Sequence, residues 1–175
     1  MSGAGALRTM IRDCVAADIE AIYQVINDAA QAYRGHIPTD RWKDPYMPHD
    51  ELHEEISASV TFLGYEEDGE LAGVMGIQEV EDVTLIRHAY VRTAQRGRGI
   101  GGKLLARIMQ EATRPVLIGT WAGAVWAVSF YEGRGFQVVS TQDKERLLRK
   151  YWSVPDRQIE ASVVLADQSW FASRR

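Results

Sequence analysis

Between residues 60 and 91 the apolar residues of this chain recur at every second position, whereas earlier they recur at every third and fourth. The segment "VTFLGYEEDGELAGVMGIQEVEDVTLIRHAYV" divides into three strand-like runs, with Asp68-Gly69 as a hairpin turn and a second break near Glu81-Asp82. A period of two gives each run one buried face, so the middle of the chain is an antiparallel meander around which everything else must pack.

The flanking segments supply further elements. "RTMIRDC" reads as a short strand. "AADIEAIYQVINDAAQAY" reads as an amphipathic helix carrying Ile19, Ile22, Val25, Ile26, Ala29 and Tyr33 on one face, with Asp18 in its favourable first turn. "RGHIPTDRWKDPYMPH" has three prolines and no period, which predicts a long functional loop before a short polar helix, "HDELHEEISAS". After residue 91, Ile100, Leu104, Leu105, Ile108 and Met109 mark a helix that ends before Pro115. "PVLIGTW" is then a strand, "AVWAVSFYEGRG" a helix, "FQVVS" a strand, "DKERLLRKYW" a helix and "IEASVVLA" a closing strand. Without repeats or low-complexity tracts, residues 1–175 are expected to form a single α/β domain, an α+β arrangement with a mixed sheet.

Composition narrows the partners. A formal net charge of −4 argues against a nucleic-acid face, and no apolar run is long enough to cross a bilayer. The opening "MSGAGALRTMIRD" lacks a secretory pattern, so a cytoplasmic protein with no membrane or nucleic-acid partner is expected. The lone Cys14 reads as a buried small hydrophobe. "HDELH" has the histidine spacing of a zinc-protease helix, but Asp50 stands in place of the required glutamate and no third ligand follows, so no metal is expected.

The chemistry concentrates in "QRGRGIGGKLL", residues 95–105, which fits three phosphate-binding patterns. As a P-loop it fails at Leu104, where a hydroxyl must ligate magnesium. As a dinucleotide fingerprint it fails because residues 112–131 contain no acid for the ribose. The third pattern, [QR]-x-x-G-x-[GA], is met by Arg96, Gly99 and Gly101. Four glycines within six residues, opening directly into an amphipathic helix, let several amides converge at the positive end of the helix dipole.

"LIRHAYVRTAQRGRGIGGKLL" resembles the acetyl-CoA-binding signature of the GNAT superfamily of N-acetyltransferases. "AVWAVSFYEGRGF" is similar to the second signature of that family, N-x-x-A-x-x-F-Y-x-x-x-G-F, with Ala127, Phe130, Tyr131, Gly135 and Phe136 in register and Ala124 in place of the asparagine. The resemblance implies a GNAT-like fold: a central, mostly antiparallel mixed sheet with splayed parallel strands and flanking helices. It also implies transfer of an acetyl group from acetyl-CoA to a primary amine on a small molecule or peptide, directly within a ternary complex. Coenzyme A would be the second product, and a homodimer is common among similar proteins. The alternative is a non-catalytic acyl-CoA sensor or interaction module.

The implied cofactor contacts are Ala89, Tyr90 and Val91 on the strand, Arg96, Gly97, Arg98, Gly99, Ile100, Gly101, Gly102 and Lys103 in the loop and helix start, and Ala127, Phe130 and Tyr131 on the later helix. Tyr131 is the candidate general acid, against the reading that it is only a packed aromatic. His88 is the candidate base, sharing by alternation one strand face with Ile86 and Tyr90, with Arg87 on the other beside Leu85 and Ala89. Glu79 is the alternative base, with Glu81 a competitor near the same strand end. Tyr33, Trp42 and Tyr46 either line the acceptor pocket or anchor the loop, and "KERLLRKYW" would rim the same opening.

Overall fold

The computed structural model describes residues 6–175. The chain opens with β1 (Thr9–Asp13) and α1 (Ile19–Ala29), then runs through the long loop to α2 (His49–Ser57). The period-two segment becomes β2 (Thr61–Glu67), β3 (Glu70–Val80) and β4 (Val83–Val91). Next come α3 (Ile100–Glu111), β5 (Val116–Trp121), α4 (Val125–Glu132) and β6 (Gln137–Val138). The chain finishes with α5 (Thr141–Leu147), α6 (Asp156–Glu160), β7 (Ser162–Ala166) and α7 (Gln168–Ala172).

The seven strands form one sheet in the order β1-β2-β3-β4-β5-β7-β6, with β4 and β5 parallel and every other pair antiparallel. The hairpin turn falls at Asp68-Gly69, both with positive φ, the geometry that matches strand twist in a two-residue loop. One sheet face carries α3 and α4 over Leu63, Met75, Ile86, Ile118 and Leu165. The opposite face carries α1 and α2 over Phe62 and Val74 on one half, and α5, α6 and α7 over Leu85, Leu117 and Val164 on the other. None of the described helices is long and apolar enough to cross a membrane.

Three expectations are corrected. The closing strand starts at Ser162, because Ile159 and Glu160 belong to α6, where Ile159 is buried beneath the sheet. "FQVVS" is a strand only over Gln137 and Val138, with one further backbone bond from Val139 to Val164 at 3.0 Å. The third correction is the face assignment in β4. Val74 opposes Tyr90 and Gly76 opposes Arg87, so one residue of β3 faces the two residues His88 and Ala89. His88 absorbs this bulge with a φ of +54°. Alternation is reset, so Ala89 and Val91 join Ile86 on the α3 face, while Tyr90 and His88 pack with the α1 and α2 cluster.

The start of α1 is fixed by an ion pair. Arg12 on β1 donates twice to Asp18 at 2.8 and 2.9 Å, and Asp18 also accepts the Val15 amide at 2.7 Å. The Arg12 bonds, with that amide, hold the carboxyl at about 2, below its ordinary 3.8. A depressed folded pKa gives stability that is present above the unfolded value and lost as pH falls toward the folded one. Asp18→Asn therefore lowers unfolding stability by about 1 kcal/mol at neutral pH, allowing for solvent screening, and urea titrations below pH 4 will show the gap closing.

Candidate active site

The parallel pair is short. Thr84–Ile86 pairs with Val116–Ile118, after which β4 continues alongside β3 alone and β5 alongside β7 alone. The two central strands thus separate, and the bulge at His88 lies where they part. The Arg92 amide donates to Ala72 at 2.9 Å across the β3 side. Amides of successive strand residues point to opposite sides, so the Val91 amide is directed into the wedge.

Glycine draws the helix to this wedge. A Cβ at Gly73 on β3 would come within 2.9 Å of the Ile100 side chain, so the bare strand is what lets the first turn of α3 sit against β3. Gly97 and Gly99 adopt φ of +76° and +77°, left-handed values costly to other residues, and a Cβ at either would meet nothing within 4 Å. The first hydrogen bond of the helix runs from the Lys103 amide to the Gly99 carbonyl at 3.0 Å. Among the described residues, no protein acceptor is bonded to the amides from Gly97 through Gly102. Six amide donors are thus left without a protein partner, and five of the residues that carry them, Arg98 excepted, line one concavity.

That concavity opens into a cleft of about 560 Å³ between α1, β4, α3 and α4. Ala89, Tyr90, Val91, Arg96, Gly97, Gly99, Ile100, Gly101, Gly102, Ala127, Phe130 and Tyr131 all line it. Arg98 and Lys103 do not: Arg98 is paired with Glu67 at 2.7 Å, and the Lys103 ammonium lies 5.6 Å from the Tyr65 ring centroid. The second cation at the cleft is Arg134, which sequence reasoning missed. Its guanidinium stacks 3.9 Å from the Phe130 ring centroid and donates to the Phe130 carbonyl at 3.0 Å. The GRG setting was its only signal, and nothing local distinguishes that arginine from those in the loop. Arg96 donates to the Ala29 carbonyl at 3.0 Å, tying the loop to α1.

A second, smaller cavity of about 150 Å³ lies on the other side of the wedge. Tyr33, Tyr46, His88, Trp121, Trp152 and Gln158 are among its walls, and Tyr33, Ala89, Tyr90, Ala127 and Tyr131 line both cavities. The Tyr131 side chain is thus a partition between them. It is 5% exposed, packed edge-on to Phe130 and Phe136 at 5.0 and 5.9 Å, and burial, with a smaller effect of Tyr33, pushes its hydroxyl well above the ordinary 10.0. The phenol therefore stays protonated. The hydroxyl of Tyr33, a half-buried residue, is pushed up to about 12, mainly by desolvation. Tyr46 accepts from Trp121 Nε1 at 2.9 Å, whereas Trp42 stands behind it, stacked at 5.8 Å and outside both cavities.

His88 is held by a residue the sequence did not single out. Its Nε2 lies 3.0 Å from Glu55 Oε2 on α2, and the other oxygen of Glu55 accepts from Arg87 at 3.2 Å. Burial pushes Glu55 upward, but His88 and Arg87 outweigh it and leave the carboxyl below its ordinary value. Glu79 is elsewhere, accepting from Thr84 at 2.8 Å and paired with Arg114 at 3.0 Å, outside both cavities. Glu81 pairs with Lys150 in the turn before β4. His49 stacks on Tyr23 at 3.6 Å and meets Glu20 at 2.9 Å, which accounts for its place in "HDELH". Cys14 is half-buried, its thiol pushed up to about 11 mainly by burial.

Comparison with known proteins was made on sequence and on structure. A family profile described as acetyltransferase (GNAT) domain matches residues 15–149. No curated protein matches the sequence. Among solved structures, the PaiA N-acetyltransferase of Thermoplasma acidophilum in complex with coenzyme A superposes with a TM-score of 0.68 at 18% identity, over 91% of this chain and 98% of that one. The ribosomal-protein-S18-alanine N-acetyltransferase of Escherichia coli gives 0.66 at 16% identity, over 91% and 93%. YncA, a putative acetyltransferase of Salmonella typhimurium with acetyl-CoA, gives 0.59 at 22% identity, over 76% and 82%.

Proposed function

The chain belongs to the GNAT acetyltransferase family, and from that premise we propose that it transfers an acetyl group from acetyl-CoA to a primary amine directly, within a ternary complex. The observation that carries this reading is the pair of cavities meeting at Tyr131 where β4 and β5 part.

The larger cavity suits coenzyme A on its own chemistry. Side-chain-free backbone at Gly97 and Gly99, unpaired amides through Gly102 and the cations Arg96 and Arg134 are what a diphosphate requires. The cofactor supplies an activated thioester, whose carbon-to-sulfur bond breaks as a carbon-to-nitrogen bond to the amine forms. The Val91 amide, directed into the wedge, is the donor available to a carbonyl oxygen there. Tyr131, kept protonated by burial, holds the proton that the departing sulfur takes. His88, seated against Glu55 and facing the smaller cavity, accepts the proton lost by the incoming ammonium. The nitrogen gives up two protons in all, one released by way of His88 and one that restores Tyr131, so the balance is one amide, one free thiol and one released proton.

A covalent acyl-enzyme on a cysteine finds no support. Cys14 is the single cysteine, lines neither cavity and has a raised pKa.

The test is thiol release from acetyl-CoA over a panel of amines. Turnover that depends on the amine supports the transferase; coenzyme A binding with no turnover of any amine would instead support a sensor. Glu55→Gln is expected to lower kcat/KM roughly tenfold or more, as for a group that holds a general base, with the dissociation constant for coenzyme A unchanged by calorimetry.

A further inference from the structure

The smaller cavity restricts what the acceptor can be. Among its described lining residues there is no carboxylate, and its one arginine, Arg87, is already engaged by Glu55 at 3.2 Å and Gln78 at 2.9 Å. A second ammonium on the acceptor would be buried without an anion. A carboxylate would have to compete with Glu55 for its only strong cation. Both arrangements are costly in a partly desolvated site.

The rest of the wall carries no charge: Ile86, Ile118, Tyr46 and Trp121 give it an apolar and aromatic part, and Thr120, Gln158 and Ser162 an uncharged polar part. The volume of about 150 Å³ is that of an apolar cavity known to accept one benzene ring.

One residue bounds this space through an unusual backbone. Leu148–Trp152 forms a single π turn after α5, closed by Ser153 in the left-handed region at φ +52°. The wider turn ends the helical period and carries the Trp152 indole onto Gly119 of β5, where a Cβ would lie 3.2 Å from the indole ring. Glycine at this position is what lets the indole lie flat against the strand beside the cavity.

Resting on the transferase reading above, we propose that the acceptor is a monoamine with one compact, uncharged body of about the size of a single ring, and that Trp152 sets this size limit. The amine end faces His88, and the body occupies the aromatic enclosure.

The experiment compares 2-phenylethylamine, the bulkier 2-(1-naphthyl)ethylamine, the diamine putrescine and the amino acid alanine on the wild type, Trp152→Phe and Trp152→Ala. Each amine is assayed for acetyl transfer and, separately, for binding to protein saturated with coenzyme A by calorimetry. For the wild type, 2-phenylethylamine is expected to exceed putrescine and alanine by roughly tenfold or more, and Trp152→Ala to raise the naphthyl-to-phenyl ratio by about tenfold, the scale at which a pocket discriminates by size. Trp152→Phe, which retains a ring for folding, should fall between. Preference for the diamine or amino acid, or an unchanged ratio in Trp152→Ala, overturns the proposal. Calorimetry decides it even if no amine is turned over, an outcome that would count against the transferase reading alone.

Discussion

Replacing Tyr131 by Phe is expected to lower kcat by about 10²-fold or more, the contribution of a positioned general acid, while leaving the dissociation constant for coenzyme A nearly unchanged. The substitution removes one oxygen and keeps the ring that packs against Phe130 and Phe136, so the partition between the cavities survives. What is lost is the proton. Because burial raises the hydroxyl above 10.0, the wild-type rate should not decline through loss of the Tyr131 proton anywhere between pH 7 and that value. An unchanged kcat in the variant, measured by thiol release at saturating amine, removes Tyr131 from the chemistry.

The second large effect is expected at Gly99. Gly99→Val places a β-branched side chain at a φ of +77°, a strain of order 1–3 kcal/mol that the loop can relieve only by turning its amides away. No protein atom lies within 4 Å of the new Cβ, so the fold has space for it; the loss falls on whatever the amides hold. Hydrogen bonds to charged groups contribute about 1.5–3 kcal/mol each, so losing two weakens coenzyme A binding by at least ~10²-fold. Gly69→Val is the matched control. Its φ is +90° and its surroundings are equally open, but it sits in the hairpin turn between β2 and β3 and lines neither cavity. It should lose comparable stability and keep its affinity, and calorimetry on both variants separates strain from ligand contact.

What could be read from the sequence follows from how local each constraint is. The hairpin at Asp68-Gly69 and the loop at Gly97 and Gly99 were legible because positive φ is a requirement of one or two residues and glycine satisfies it in place. The two GNAT signatures carried the mixed sheet with its single parallel pair. Periodicity failed where one residue was added or a turn widened. The bulge at His88 reversed the face assignment of the residues after it, and the π turn took Trp152 out of the helical pattern and into the smaller cavity. α7 went unread because its five residues have no period to show, although Asp167 caps it and Trp170 is buried.

Side-chain destinations were harder still. Arg98 and Lys103 flank the glycines in sequence, yet Glu67 and Tyr65 on β2 draw them off, while Arg134, more than thirty residues away, turns toward the cleft. Glu55 is one of four acids in α2, and only the docking of that helix against the bulged β4 distinguishes it from Glu54.

The account rests on the backbone amides of Gly97 through Gly102 meeting the diphosphate of coenzyme A. A crystal structure with coenzyme A bound tests this most directly: it should show several of those nitrogens within hydrogen-bonding distance of the phosphate oxygens, with the pantetheine arm running between β4 and β5 toward Tyr131. Coenzyme A seated elsewhere, with those nitrogens facing solvent and the wedge closed by protein, would contradict it.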